Sequence, residues 1–305
     1  MNIPKFDNNQ YESLVSDLIG DAFYTETSYR GKISTIRSYA EVIVRKLLDF
    51  DQSKKITLGQ DDVKKKIKEL PGHEFLEKAI KTILKSGNAA THTQYLEKFS
   101  LDDFNQIVNN LLDMLAFLLI NYFEKYKFGS RNEVMRSFSL LPPIIRYKVL
   151  AFLYKKYPDN IDVIDRLTLA IMKAFSVAEA TKWVEDRKND LLKMEIISMK
   201  ELNKIAEKYG EEVAEIMLQN ASFNMYQSCM KKIFQLRQYI TENGPLYSNF
   251  EDALPYYRMH GKIDSDDPEI VEFNDIMDFL YLGRKERLEQ FSRESGPLVI
   301  MNFFL

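Results

Sequence analysis

The sequence predicts an all-α protein, and three observations carry that prediction. Apolar residues recur at three- and four-residue steps along most of the chain, the spacing of one helix face. Few stretches alternate with the two-residue period of a half-buried strand. Gly, Pro and capping Ser residues fall between the periodic segments, where helices start and stop. The expected organisation is a helical bundle over residues 1–128, followed by a C-terminal irregular array of helical hairpins over residues 129–305.

Taken in order, YESLVSDLIGDAF places Tyr11, Leu14, Val15, Leu18, Ile19 and Phe23 on one stripe, which makes a first helix. A second, over residues 28–50, aligns Ile33, Ile36, Ala40, Ile43 and Leu47 as its core face. Arg37, Glu41 and Arg45 follow at four-residue steps on a line turned away from that face, where each Arg can pair with the central Glu. A polar stretch and a short helix ending at ELPGH come next, because Pro71 and Gly72 break the period. EFLEKAIKTILKSGN is the fourth helix. Ser100 then caps the long helix LDDFNQIVNNLLDMLAFLLINYFEKY, with Asp102 and Asp103 in its first turn.

Beyond Gly129 the helices are expected to be shorter. SRNE at 130–133 and SVAE at 176–179 have capping-box form. LPP at 141–143 and YPDN at 157–160 each end one helix and begin another. No fixed repeat period runs through this half, so an irregular array is expected over a regular solenoid. GKIDSDDPE at 261–269 reads as a loop. The apolar ending GPLVIMNFFL reads as a segment docked in a core or an interface, a surface through which a protein partner could bind.

Composition excludes several classes. The 305 residues are 45% apolar and 29% charged, with a formal net charge of -3. There are 18 basic and 18 acidic residues up to Lys127, and 24 and 27 after it, so neither half is a basic nucleic-acid module by bulk charge. KKKIK at 64–68 reads as a solvated helix face. A lone cysteine, Cys229, rules out an internal disulfide and Cys-rich zinc patterns, and reads as a packing residue. The start MNIPKFDNNQ shows no secretion signal, so a cytoplasmic location is expected. The apolar run at 111–123 is too short to span a bilayer and reads as a core helix, so no membrane is expected as partner.

Three histidines, His73, His92 and His260, show no i, i+4 pairing, and no metal site or cofactor is expected. Phosphate-loop, dinucleotide-binding and nucleophile-elbow motifs are all lacking from the sequence. Trp183 is expected in the core. LPYYRMHGK at 254–262 brings Tyr257 and Arg258 together, a mix that can stack a base and hold its phosphate, and both are secondary ligand-binding candidates.

The chemistry-bearing segment is ILKSGNAATH at 83–92. On a continued helix Lys85, Asn88 and His92 stand at i, i+3 and i+7 and share a face. A cation, an amide and an imidazole there could stabilise a phosphate, orient a backbone and exchange a proton near neutral pH. Gly87 and Asn88 are equally what a helix C-terminus looks like.

With YRGKISTIRSYAEVIVRKLL at 29–48, this segment resembles a bacterial helical domain of the HEPN superfamily, the type associated with restriction and defence proteins, over about residues 9–127. The resemblance implies antiviral defence and metal-independent RNA cleavage at a homodimer interface. His92 would then be the general acid/base, Lys85 the phosphate stabiliser and Asn88 the orienting group. Where that family has Arg, this sequence has Lys85, which keeps the charge but lacks the planar fork for two phosphate oxygens. Arg37 or Arg45, with Glu41 between them, could supply that fork. The residues fit a ribonuclease, an RNA- or nucleotide-binding or adaptor module without cleavage, and a helix end with no ligand.

Overall fold

In the computed structural model, residues 5–96, 98–196, 206–212 and 224–286 are described. Among them the architecture is all-α, with one isolated antiparallel bridge between Glu195 and Asn224. The apolar tail at 296–305 lies outside the described residues.

The first helices follow the expected order. Helix α1 (Asn8–Ile19) is capped by Asp7 and continues into a π-helical turn, Gly20–Tyr24. α2 (Tyr29–Leu47) starts at Ser28, whose hydroxyl accepts from the Gly31 N–H. α3 (Asp61–Lys68) and α4 (His73–Thr91) flank the Pro71–Gly72 corner, where Gly72 takes a left-handed φ of 73°. α5 (Leu101–Lys125) begins in a reciprocal capping box between Ser100 and Asp103. The α1 stripe is buried at Tyr11, Val15 and Ile19, but Leu14 is 47% exposed. It lies one position off the buried line and faces outward.

α5 is the hub of this bundle. Its centre, Met114 to Ile120, is buried all round because α2 and α4 pack on it and on each other. Each of the Met, Leu, Phe and Ile side chains there contributes roughly 1.5–3 kcal/mol by leaving water. The apolar run at 111–123 is part of a 25-residue helix that is long and apolar enough to cross a membrane, and 72% of its most apolar window is buried within the protein.

Helices α6 (Asn132–Phe138), α7 (Pro143–Lys156), α8 (Ile161–Ala174), α9 (Val177–Glu185) and the short α10 (Lys188–Leu191) follow. Then come α11 (Met225–Asn243), α12 (Phe250–His260) and α13 (Pro268–Tyr281). Ser176 caps α9 as expected, through the Glu179 N–H. Ser130 does not cap α6: Arg131 is the N-cap residue, and the Ser130 hydroxyl donates back to the Lys127 carbonyl. The stretch at 264–269 ends in a helix start, with Asp267 as N-cap and Pro268 in the first turn of α13.

Contacts divide the chain elsewhere than residue 128. One compact unit runs to Ile145 and resumes at Asn249; the other is Arg146–Ser248. The cause is the return of α13 onto α5 and α1. There Lys46 pairs with Asp275, Arg131 reaches Asp267 at 2.6 Å and Glu269 at 3.0 Å, and Lys125 pairs with Glu272 at 2.5 Å. The Glu272 carboxylate, first by its hydrogen bond, pushes the Lys125 ammonium up to about 12.

In the second unit, α11 packs on α8 and α9. Cys229 is buried there, accepts from the Thr168 hydroxyl at 3.3 Å and has its thiol pushed up by burial, consistent with a packing role. Trp183 is half-buried, edge-on to Tyr154 and covered by the Arg187 guanidinium.

Candidate functional site

The segment singled out in the sequence lies at the C-terminal end of α4, in the first unit. The carbonyls from Gly87 to Ala90 near that end each have a donor. The His92 N–H bonds the Asn88 carbonyl at 3.0 Å, and the Thr91 hydroxyl reaches those of Gly87 and Asn88 at 3.0 and 3.2 Å. Arg30 of α2 donates to the carbonyls of Ala89 and Ala90 at 2.9 and 3.1 Å, and to that of Tyr95 in the following turn at 2.7 Å. Its guanidinium also stacks over Phe99. Such terminal carbonyls need partners, and a cation there opposes the negative end of the helix dipole.

The helix does not stop at Gly87. Gly87 is buried mid-helix because Arg37 of α2 lies directly across it: a Cβ at 87 would sit 2.5 Å from Cδ of Arg37, 2.7 Å from its Cβ and 2.9 Å from its Cγ. Gly87 is therefore the close-approach point of α2 and α4. The stem of Arg37 is fixed against backbone, while its head is loosely held. Nη1 is 3.5 Å from Oγ1 of Thr91, Nη2 is 3.9 Å from Oε1 of Glu41, and Nε is buried without a hydrogen bond among the described residues. These lie beyond the 2.7–2.9 Å usual for charge-assisted bonds.

α4 ends at Thr91, and His92 leaves it in extended conformation, φ -90° and ψ 129°. The continued helix on which Lys85, Asn88 and His92 would share a face is thus one residue too short. Lys85 and Asn88 stay one turn apart on the helix, Lys85 exposed and Asn88 half-buried. His92 is exposed in the turn. Among the described residues, no hydrogen bond or ion pair joins the side chains of these three to one another.

The expected Arg37–Glu41–Arg45 ladder is half formed. Glu41 faces Arg37, but Arg45 turns to the Asp51 carbonyl and to the Tyr11 ring. Of the two ladder arginines, Arg37 is the one brought to the α4 terminus. Burial raises the Glu41 carboxyl above its ordinary value, against the pull of Arg37, the Leu58 N–H and Arg45. The two secondary candidates are used within their own unit. Tyr257 is buried, stacks on Tyr281 at 4.3 Å and donates to Asp278 at 2.6 Å, which leaves no open ring face for a base. Arg258 is exposed and pairs with Glu286.

Arg30 and Thr91 carry no mark in the sequence motif. Arg30 stands seven residues before Arg37, two turns back on the same helix face, and extending the Arg37–Glu41 line toward the N-terminus would have reached it.

A second polar cluster has its Arg–Glu pair removed from solvent. The π-turn aims the Tyr24 hydroxyl at Oε1 of Glu251, 2.6 Å away, and Arg284 reaches the same oxygen at 3.3 Å. The Arg284 and Glu251 side chains are only 3% and 4% exposed. Arg284 stacks over Phe250, and a cavity of about 20 Å³ lies beside the pair, walled by Phe23, Leu111, Leu112 and Ile144. Burial, and then the Glu251 charge, push the Tyr24 hydroxyl well up. Among the described residues no cluster of His, Cys, Asp or Glu could hold a metal ion. Comparison with protein-family models, with curated proteins and with solved structures finds no match to the chain.

Proposed function

We propose that the first unit is a HEPN-like module of a defence-type protein that binds the phosphate backbone of RNA at the α2/α4 edge. Arg37 is the principal contact, and Lys85 and Asn88 flank it on α4. The observation that carries this reading is the state of Arg37: a stem seated on Gly87 and a fork-shaped cation whose bonding capacity is largely unspent. A planar guanidinium matches two phosphate oxygens, so Arg37 supplies the geometry that Lys85 lacks. A free nucleotide presents the same phosphate. The test is titration of the full chain with a short single-stranded RNA at several salt concentrations. Arg37→Met, which keeps the stem, is expected to weaken binding several-fold and to lower the salt slope by about 0.7, the loss of one phosphate contact on a single strand. Equal affinity and slope would overturn the reading.

Metal-independent cleavage is the second reading, and exposed His92 at the end of the same helix favours it. It predicts that His92→Ala abolishes cleavage in the presence of a chelator while leaving RNA affinity within twofold. No cleavage by the native chain, in a sample shown by sedimentation to be dimeric, would remove this activity and leave the binding reading in place.

A further inference from the structure

We infer that Glu41 is an internal occupant of the Arg37 site, a carboxylate that an incoming phosphate oxygen displaces, so that Glu41 sets how tightly RNA binds. The inference rests on the RNA-phosphate reading above and concerns the control of that same site.

Four observations support it. The Arg37–Glu41 pair is long, 3.9 Å, and both side chains are partly open to solvent, at 24% and 28%, so a ligand can reach them. Arg37 is anchored through its stem on Gly87, so its head can exchange partners while its position on α2 is kept. Glu41 also feels a second cation, because the Arg45 charge favours its ionised form; losing Arg37 does not leave it without an attracting charge. Burial also outweighs the attraction of Arg37, since the Glu41 carboxyl is displaced upward overall. A pair of this kind is marginal, whereas a phosphate offers the guanidinium two oxygens and more charge. Turning the head outward about its fixed stem also releases Nε, which has no hydrogen bond among the described residues in the Glu41-facing position.

The competition is specific to one pair, so a double-mutant cycle isolates it. The full chain is titrated with the same short RNA as native, Glu41→Gln, Arg37→Met and the double variant. Glu41→Gln keeps the shape of the side chain and removes the charge. Glu74→Gln, at the far end of α4 and exposed, controls for net charge. Glu41→Gln is expected to tighten binding roughly threefold, the size of a partly exposed ion pair. The gain should vanish in the Arg37→Met background, and Glu74→Gln should leave affinity unchanged. If Arg37→Met weakens binding but Glu41→Gln has no effect, or gives the same gain in both backgrounds, the inference falls and the RNA-phosphate reading stands. If Arg37→Met itself changes nothing, the RNA-phosphate reading falls.

Discussion

Two of the Arg–Glu pairs in the first unit differ in almost everything but chemistry. Arg284 and Glu251 meet at 3.3 Å with side chains 3% and 4% exposed, sharing Tyr24 and stacked on Phe250. Arg37 and Glu41 meet at 3.9 Å at a half-open edge. In the buried pair each charge depends on the other, because neither can turn to water. In the edge pair each has somewhere else to go. The same two residue types therefore make a structural clasp in one place and an exchangeable site in the other, and the difference is desolvation.

That contrast can be broken most severely at Arg284. Arg284→Met strands Glu251 as an unpaired buried charge, so chemical denaturation should show a loss of about 3–5 kcal/mol, against less than about 1 kcal/mol for Arg37→Met. Losses of equal size would erase the distinction. Replacing both partners, Glu251→Leu with Arg284→Met, should recover most of that stability, since a fitted apolar pair avoids the desolvation penalty.

A smaller effect is expected at Gly87. Alanine is the better helix former by about 1 kcal/mol, but its Cβ would overlap the Arg37 stem, and overpacking of this kind costs about 1–3 kcal/mol. Gly87→Ala should therefore destabilise on its own, and Arg37→Ala should relieve only part of that loss, because the Arg37 Cβ that alanine keeps would still stand 2.7 Å from the new methyl. Thermal unfolding of the two single variants and the double is the readout.

Acid titration sharpens the edge pair further. The folded-state pKa of Glu41 lies above its ordinary 4.5, so between the two values the folded chain holds a proton that the unfolded chain has released. Stability at this group is lowest near neutral pH, rises as pH falls through the folded value and levels off below 4.5. Glu41→Gln should unfold at a higher temperature than the native chain at neutral pH, and the gap should close by pH 4.5. If Glu41→Gln instead unfolds at a lower temperature than the native chain at neutral pH, with the deficit closing on acidification, Arg37 dominates burial at Glu41. The smallest effect is at Arg45. Because it points to the Asp51 carbonyl and Tyr11, Arg45→Met should leave RNA affinity within twofold.

Much of the fold was legible from local signals. The core face of α2, the Ser100 cap, the breaks at Pro71–Gly72 and Pro142–Pro143, and the packing role of Cys229 all follow from periodicity, capping chemistry or burial preference. Ser130 was misleading because a capping box is a short pattern, and the chain after α5 spends that hydroxyl on Lys127. Tyr257 looked like a ligand residue because aromatic and basic neighbours are a local mix. That it faces Tyr281 and Asp278 depends on how α12 meets α13.

By itself the sequence determined the all-α class, most helix starts and the segment ending at His92, since helix periodicity and capping act over three or four residues. Tertiary structure decided what that segment is. It placed Arg37 over Gly87, put Arg30 on the last carbonyls of α4, turned Arg45 away and let α4 end one residue before His92. It also joined Tyr24 and Glu251, 227 positions apart, and sealed them with Arg284. Contacts between helices so distant in sequence, and the removal of water that gives each charge its role, have no counterpart in a run of neighbouring residues.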